Sequence, residues 1–334
     1  MTAQVASIPG AANSVVVDGL VKRYGDVTAV AGIDLEVAPG EIFGFLGPNG
    51  AGKSTTIAIL CTLVRPTEGR AFVAGVDVAS RPDEVRSRIG LVFQDPSLDN
   101  QLTARENLTF HAMVYGVPRI ERRRRIDEAL AMVDLADRAS APVMTYSGGM
   151  KRRLEVARGI LHEPEVLFLD EPTQGLDPQT RANLWEHLRR IRAQTHLTIF
   201  MTTHYMEEAE WCDRIAIIDH GRIVALGTPE QLKSRVGGDV VTIATGDNER
   251  AAREIRAALD VTAVADGAAL RAEVEDGAAF VPRLIASLSV PVRSVAVRRP
   301  SLDDVFLKLT GRAIRDDEVD GRQAMMRAMM SRRR

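Results

Sequence analysis

The run Gly47-Pro48-Asn49-Gly50-Ala51-Gly52-Lys53-Ser54-Thr55 has the spacing G-x-x-x-x-G-K-[ST]. Each residue type has a physical reason to stand where it does. Gly50 and Gly52 lack a Cβ, so backbone N–H groups can close around phosphate oxygens. Lys53 places a point charge against the β- and γ-phosphates, and Ser54 offers a hydroxyl to Mg2+. A second pair, Asp170-Glu171, ends the apolar run Val166-Leu167-Phe168-Leu169. Asp170 would hold Mg2+ through its water shell. Glu171 would stand beside the γ-phosphate and polarise an attacking water. Taken alone, the first segment could be a glycine-rich turn and the second an ordinary strand terminus. Together they describe a grip on polyphosphate with water delivered to its terminal phosphorus.

These side chains need elements to hold them. Residues 42–46 form a short apolar strand before the glycine-rich loop. Ile57, Leu60, Cys61 and Val64 fall at i, i+3, i+4 and i+7, which predicts a helix whose positive N-terminal end faces the anion. Residues 166–169 and 197–201 read as buried parallel strands, each ending in polar residues, with chemistry at their carboxyl ends. Val15-Val16-Val17 reads as a further strand. Residues 95 to 160 turn helical and highly charged, which predicts an inserted helical subdomain. Residues 215–218 and 223–226 flank Asp219-His220-Gly221-Arg222 as a hairpin.

Tyr146-Ser147-Gly148-Gly149-Met150 precedes another helical stretch. At these residues the chain resembles the ABC-type ATPases, whose signature is L-S-G-G-Q. Ser147, Gly148 and Gly149 match it, while Tyr146 and Met150 depart from it. Loss of the glutamine removes a polar side chain near the nucleotide; the serine, the glycines and the helix N-terminus keep their logic. The resemblance implies an α/β fold: a RecA-like P-loop core, an antiparallel β subdomain and a helical subdomain. It implies ATP and Mg2+ as cofactors and ATP hydrolysis as the activity. Gln94, after residues 90–93, resembles the Q-loop glutamine, which meets Mg2+ and the transport partner. Asp177 in Gly175-Leu176-Asp177 resembles the D-loop aspartate at a dimer seam. His204 resembles the switch histidine on the γ-phosphate. Tyr24 in Lys22-Arg23-Tyr24-Gly25 resembles the aromatic that stacks on adenine. Singly, Gln94 could be a solvated loop residue, His204 a satisfied core histidine and Tyr24 an ordinary strand-end tyrosine. Their order over residues 15 to 230 is what joins them. The resemblance thus makes Glu171, His204 and Gln94 the catalytic set and Ser54, Gln94 and Asp170 the metal set.

In that family the signature lies away from its own phosphate loop. The resemblance therefore implies that Ser147, Gly148, Gly149 and Asp177 complete the ATP site of a second subunit. One set of motifs per chain then calls for a head-to-tail homodimer. Two further stretches are similar to the daunorubicin-resistance type: Thr203-His204-Tyr205-Met206-Glu207-Glu208-Ala209 and Arg299-Pro300-Ser301-Leu302-Asp303-Asp304-Val305-Phe306-Leu307. From the residues alone, Ser301 with Asp304 is a capping-box-like helix start. The group pairs with a separate six-helix permease at the cytoplasmic face of the membrane and exports drugs, antibiotics or lipids. Export of lipid or polysaccharide, or an ABC ATPase outside transport, are the alternatives. Repair-type relatives carry a long coiled-coil insertion and translation-type relatives two cassettes; neither pattern is present here.

The totals agree with such a protein. The chain has 334 residues, 45% hydrophobic and 26% charged, with net charge -2. That balance does not suggest nucleic-acid binding. Cys61 and Cys212 have no metal-ligand spacing. No apolar run approaches the ~20 residues of a membrane span, so action at a membrane calls for a partner. Residues 1–13 read as a disordered start and 14–236 as the ATPase domain. After Gly237-Gly238 the order becomes strand 240–245, helix 248–259, strands 261–265 and 270–274, helix 278–288, strand 292–297 and helix 301–309. That is a β-α-β-β-α-β pattern, the ferredoxin-like split βαβ, which places a small α+β domain at 239–312. The Arg122 to Arg125 run reads as a solvated helix face. The tail at 313–334, ending basic and methionine-rich, reads as disordered.

Overall fold

The computed structural model describes residues 13–95, 97–235, 237–266 and 269–310. The expected disordered start lies outside these residues except for Asn13, and the expected tail lies outside them entirely. Contacts divide the chain into two units between Leu226 and Gly227.

The first unit opens with β1 (Val15–Tyr24) and β2 (Val27–Val37), an antiparallel hairpin turned at Gly25 with φ 56°. β3 (Ile42–Leu46) leads into α1 (Lys53–Leu60). β4 (Glu68–Val73) and β5 (Val76–Asp77) complete a four-stranded sheet of order β2-β1-β4-β5. α2 (Pro82–Arg88) runs into β6 (Ile89–Val92). The charged stretch then forms α3 (Ala104–Val114), α4 (Arg119–Met132) and α5 (Gly148–Ile160). β7 (Val166–Asp170), α6 (Pro178–Thr195), β8 (Thr198–Thr203), α7 (Met206–Ala209), β9 (Arg214–Asp219) and β10 (Arg222–Gly227) follow.

The six-stranded sheet has the order β10-β9-β3-β8-β7-β6, and its strands from β9 to β6 run parallel. All residues of β3 and β8 are buried, as expected of strands covered on both faces. Phe200 of β8 packs on Phe43, Phe45 and Phe168 at centroid distances of 5.4, 5.7 and 5.5 Å. This row crosses β3, β8 and β7 and holds the strands that carry the site.

α1 ends one turn earlier than the i, i+3, i+4, i+7 pattern suggests. Thr62 takes φ 63°. Its N–H donates to Ile59 O at 2.9 Å, and Leu63 N–H donates to Ala58 O at 2.8 Å, a Schellman closure. Cys61 and Val64 still pack on the core, so the apolar pattern reports burial beyond the helix end.

The second unit contains α8 (Pro229–Ser234), β11 (Asp239–Thr245), α9 (Asn248–Leu259), β12 (Ala263–Asp266), β13 (Ala269–Val274), α10 (Gly277–Ser287), β14 (Val292–Arg298) and α11 (Leu302–Thr310). Its sheet is antiparallel, in the order β12-β13-β11-β14. β11 and β12 flank β13, so each α-linked pair is split by another strand, the ferredoxin-like arrangement. Val241, Ile243, Ile255, Leu270, Phe280 and Leu284 form its core.

One close approach fixes α5 against the sheet. A Cβ on Gly90 of β6 would lie 2.1 Å from the Gly159 carbonyl oxygen. A Cβ on Gly159 would meet only side-chain ends, the nearest Leu167 Cδ1 at 3.0 Å. Gly90→Ala is therefore expected to destabilise by roughly 1–3 kcal/mol through overpacking. Gly159→Ala should stay near neutral, because relief of the helix-glycine cost of ~1 kcal/mol offsets the tighter contact. Urea unfolding of the two variants checks the ordering.

Candidate active site

β3 ends at Leu46, paired with Thr203 of β8 and Ile217 of β9. Asp170 at the end of β7 is paired with Thr202 of β8. Register alone therefore brings the glycine-rich loop, the carboxylate pair and the Thr202–His204 segment to one edge of the sheet. The loop is clamped by backbone. Gly47 N–H donates to Thr203 O at 3.2 Å, and Gly221 N–H donates to Ala51 O at 2.9 Å. The second bond comes from the β9–β10 turn, where His220 and Gly221 take φ 46° and 75°, the signs of a type I′ hairpin. A Cβ would lie 2.3 Å from Ile218 O on Gly47 and 2.4 Å from Ala29 O on Gly52, whose φ is 107°. Side chains are excluded there by the fold itself. No side chain caps α1, whereas Thr103, Ser147 and Asp177 cap α3, α5 and α6.

The centre of the site is a buried charge cluster. Lys53 Nζ donates to Gly47 O at 2.8 Å and Pro48 O at 3.1 Å, and meets Glu171 Oε1 at 3.2 Å. Glu171 Oε2 lies 3.2 Å from His204 Nδ1. The Lys53 and Glu171 side chains are only 4% and 7% exposed. Glu171 holds φ 45°, rare for a residue with a side chain, and its N–H donates to Thr202 Oγ1 at 3.0 Å. Thr202 Oγ1 donates in turn to Asp170 Oδ1 at 2.6 Å, and Ser54 Oγ reaches the same oxygen at 3.3 Å. Burial lowers the Lys53 ammonium from its ordinary value, against the opposing pull of Glu171. Burial would raise the Glu171 carboxyl, but the His204 hydrogen bond and the Lys53 charge outweigh it, and the carboxyl sits below its ordinary value.

These groups border a cleft of about 340 Å3 lined by Tyr24, Asn49, Gly50, Lys53, Thr55 and Gln94, among others. Tyr24 is half exposed, with Lys22 Nζ 4.8 Å from its ring centre. Gln94 donates through Nε2 to Gln174 Oε1.

Ser147, Gly148, Gly149 and Asp177 do not line this cleft. They form a second cluster. The Ser147 hydroxyl accepts from Met150 N–H at 3.3 Å, and Asp177 accepts from Thr180 N–H at 3.0 Å and Thr180 Oγ1 at 2.6 Å. A Cβ on Gly149 would lie 2.2 Å from Thr180 Cγ2, so the N-terminal ends of α5 and α6 pack side by side.

Comparison with known proteins agrees with this geometry. The ABC transporter family pattern matches residues 30–174, and the C-terminal domain pattern of DrrA1-3-like ATP-binding proteins matches residues 227–310. A daunorubicin resistance ATP-binding protein of Streptomyces coeruleorubidus is 44% identical over 308 residues, covering 89% of this chain and 96% of its own length. The chain belongs to the family of ABC transporter ATP-binding proteins. A linearmycin resistance ATP-binding protein of Bacillus subtilis is 40% identical over 90% of this ABC ATPase and 99% of its own length. A Nod factor export ATP-binding protein of Ralstonia nicotianae is 41% identical, with coverages of 90% and 94%. Among solved structures, cbiO1 of Clostridium perfringens, part of an ABC transporter complex, superposes with TM-score 0.63 at 27% identity, covering 75% of this ABC ATPase and 96% of that chain. A dimeric ATP-binding cassette described as a post-hydrolysis state bound to ADP and Pi superposes with TM-score 0.58 at 27% identity, covering 64% and 98%. The ABC ATPase is thus an ATP-hydrolysing enzyme. Among the described residues no helix is long and apolar enough to cross a membrane.

Several residues of this neighbourhood escape sequence reasoning. Gln174 has no local signature. Glu208, fully buried, accepts from Thr203 Oγ1 at 2.6 Å and from Thr173 Oγ1. Its sequence context, Glu207-Glu208, reads as a solvated helix start. Arg152 and Glu155 are buried on α5. Their one signal is a charged pair at i, i+3 on the stripe that also carries Gly159.

The Glu171 shift has a pH consequence. Because its folded pKa is depressed, Glu171 contributes stability that is present above its unfolded pKa and is lost as pH falls through the folded value. Lys53, whose pKa is also lowered, stays protonated across that acid range and adds no slope there. The stability gap between the parent and Glu171→Gln should therefore be largest near neutral pH and shrink below about pH 4, near an ordinary glutamate pKa. Urea unfolding at neutral and acid pH measures the gap; one that is constant or widens toward acid contradicts the assignment.

Proposed function

We propose that this ABC ATPase drives export of drugs or antibiotics through a separate six-helix permease. It would bind the cytoplasmic face of the membrane peripherally, as a head-to-tail homodimer with ATP held between the copies. The observation that carries the reading is the buried meeting of Lys53, Glu171 and His204 beside a cleft walled by a glycine-rich loop.

In this reading the nucleotide domain runs over residues 14–236, with its helical subdomain at about 95–160. The small domain occupies 239–312. Tyr24 receives the adenine ring. The loop residues Gly47, Pro48, Asn49, Gly50, Ala51 and Gly52 enclose the phosphates with backbone N–H groups. The uncapped N-terminus of α1 adds Ser54 and Thr55 and its dipole. Phosphate oxygens compete with Glu171 for Lys53 Nζ. The Ser54 hydroxyl and Asp170 carboxylate already share one oxygen contact, a hard-donor set suited to Mg2+, and Gln94 stands on the cleft wall. Mg2+ would supply charge neutralisation of the phosphates there. Glu171 takes a proton from the attacking water. His204 holds the carboxylate's other oxygen and is placed to meet the γ-phosphate.

Ser147, Gly148, Gly149 and Asp177 lie outside their own cleft, and we assign them to the cleft of the second copy. The likeness to a dimeric cassette supports this assignment. The cargo class rests on the daunorubicin- and linearmycin-resistance relatives. The nearly equal identity to a Nod factor export protein supports a second reading, in which the cargo is of another kind. Only the cargo would differ; the ATPase cycle would be the same.

Glu171→Gln should bind ATP and hydrolyse it about 10²–10⁴-fold more slowly, the reach of a general base; parental turnover would remove Glu171 from that role. Ser147→Arg should abolish hydrolysis while the isolated chain keeps its affinity for ATP. Equilibrium binding with EDTA present separates the two effects, and loss of binding would put the signature in its own cleft. For the cargo, co-expression with the permease should confer drug resistance that Glu171→Gln abolishes.

A further inference from the structure

Arg152 lies near the start of α5, three residues after the glycine pair, and is 6% exposed. Its guanidinium reaches three backbone carbonyls on two separate segments. Nε donates to Pro172 O at 2.6 Å, Nη2 to Asp170 O at 3.2 Å and Nη1 to Phe93 O. Nη1 also pairs with Glu155 Oε2 at 2.9 Å, and the fully buried Glu155 accepts Ser97 N–H at 2.8 Å through its other oxygen. The receiving carbonyls have a common property. Asp170 and Pro172 flank Glu171 on both sides, and Phe93 immediately precedes Gln94. One guanidinium therefore fixes the backbone around two of the residues that line the cleft, Glu171 and Gln94. It does so from the helix whose first residues follow Ser147.

We propose that Arg152 is a positioning residue for hydrolysis: it makes the signature helix, the Gln94 loop and the Glu171 turn move as one body. This inference rests on the assignment of Glu171 and Gln94 made above. Each carbonyl lies at or beyond the end of its strand, where a guanidinium can serve all three from one plane. A lysine ammonium is a compact point charge and cannot span the same three acceptors. Glu155 supplies the counter-charge that lets the guanidinium stay buried. A load applied at Ser147 by a second copy would reach the Glu171 backbone through α5 and this fork. Arg152 itself touches no reacting atom in this scheme.

The test uses the full-length chain and ATP. Arg152→Lys keeps the charge and should melt within a few degrees of the parent. Its ATP affinity, measured with EDTA, should stay within about threefold, while kcat falls by about 10²-fold, the scale of a misplaced catalytic group. In a Glu171→Gln background Arg152→Lys should cause a much smaller further loss, the part that passes through the Gln94 loop, because the part that passes through the Glu171 turn is already gone. Should Arg152→Lys fail to fold, Arg152→Gln combined with Glu155→Gln removes both buried charges together and should show the same selective loss of kcat. Turnover within twofold of the parent in either folded variant overturns the proposal. So does a full additional loss on top of Glu171→Gln. Loss of the fold in both variants assigns the junction to stability alone and also overturns it. If Glu171→Gln itself keeps parental turnover, the site assignment fails first, a result distinct from an inactive Glu171→Gln beside a fully active Arg152→Lys.

Discussion

A carboxylate and an ammonium, both withdrawn from water, set the terms for the first unit. A lone buried charge costs far more than a domain's net stability can supply, so Lys53 and Glu171 can sit at 4% and 7% exposure only as partners. Their positions are 118 residues apart in number (171 less 53), and His204 joins from a third segment. The meeting therefore requires β3, β7 and β8 to lie side by side, parallel and in fixed register. The phenylalanine row through Phe43, Phe200 and Phe168 supplies that alignment from inside the sheet. Glu171 also holds a left-handed backbone, which costs on the order of 1–3 kcal/mol. The bond from its N–H to Thr202 Oγ1 and the two salt links on its side chain hold it there.

Burial and chemistry divide the same strands. Along β3, β7 and β8 the interior residues are apolar and enclosed, and β7 and β8 end in polar residues at their carboxyl ends. The backbone groups leaving the sheet at that edge have no ladder partner, so side chains and loops must satisfy them. Thr202 bridges Asp170 and Glu171, the β9–β10 turn holds Ala51, and Arg152 serves Phe93, Asp170 and Pro172. The helix starts divide in a similar way. α3, α5 and α6 are closed by their own side chains, while α1, like α2, α4 and α7, carries none, and α1 is the helix that begins at the lysine of the glycine-rich loop.

Much of this was legible in the sequence, for reasons that differ by residue. The glycine loop announces itself because Gly47 and Gly52 have backbone oxygens within 2.4 Å of where a Cβ would sit; a steric demand that strict leaves a literal spacing. Asp170-Glu171 is visible because an apolar strand ends abruptly in charge. In the second unit β11, α9, β13 and α10 each bury one face, and their apolar spacing is legible for that reason. The helix after the loop is shorter than its apolar spacing suggests, because Cys61 and Val64 pack on the core without being helical; periodicity reports burial and not hydrogen bonding. The burial of Arg152, Glu155 and Glu208 is hidden in the sequence for the opposite reason. Charge in a helix reads as solvent, and only three-dimensional proximity shows that these charges are neutralised inside. Gln174 left no trace, since its contact with Gln94 depends on two loops converging.

Electrostatics also bears on why one chain falls short. A polyphosphate at the loop brings several negative charges, and the cationic side chain placed to meet them is Lys53, already paired with Glu171. A divalent ion held by Ser54 and Asp170, as proposed, and the open end of α1 would offset part of that charge. The cluster at the starts of α5 and α6 carries a serine hydroxyl, glycine backbone and two adjacent helix N-termini beside the Asp177 carboxylate, packed together at Gly149 and Thr180. Because that cluster does not line its own cleft, the proposed second copy is what would present its donors to a phosphate. In the proposed dimer the need for two copies is electrostatic before it is architectural. Removing the terminal phosphate removes the charge that made the second face favourable, which is how a bond broken in the cleft can open an interface.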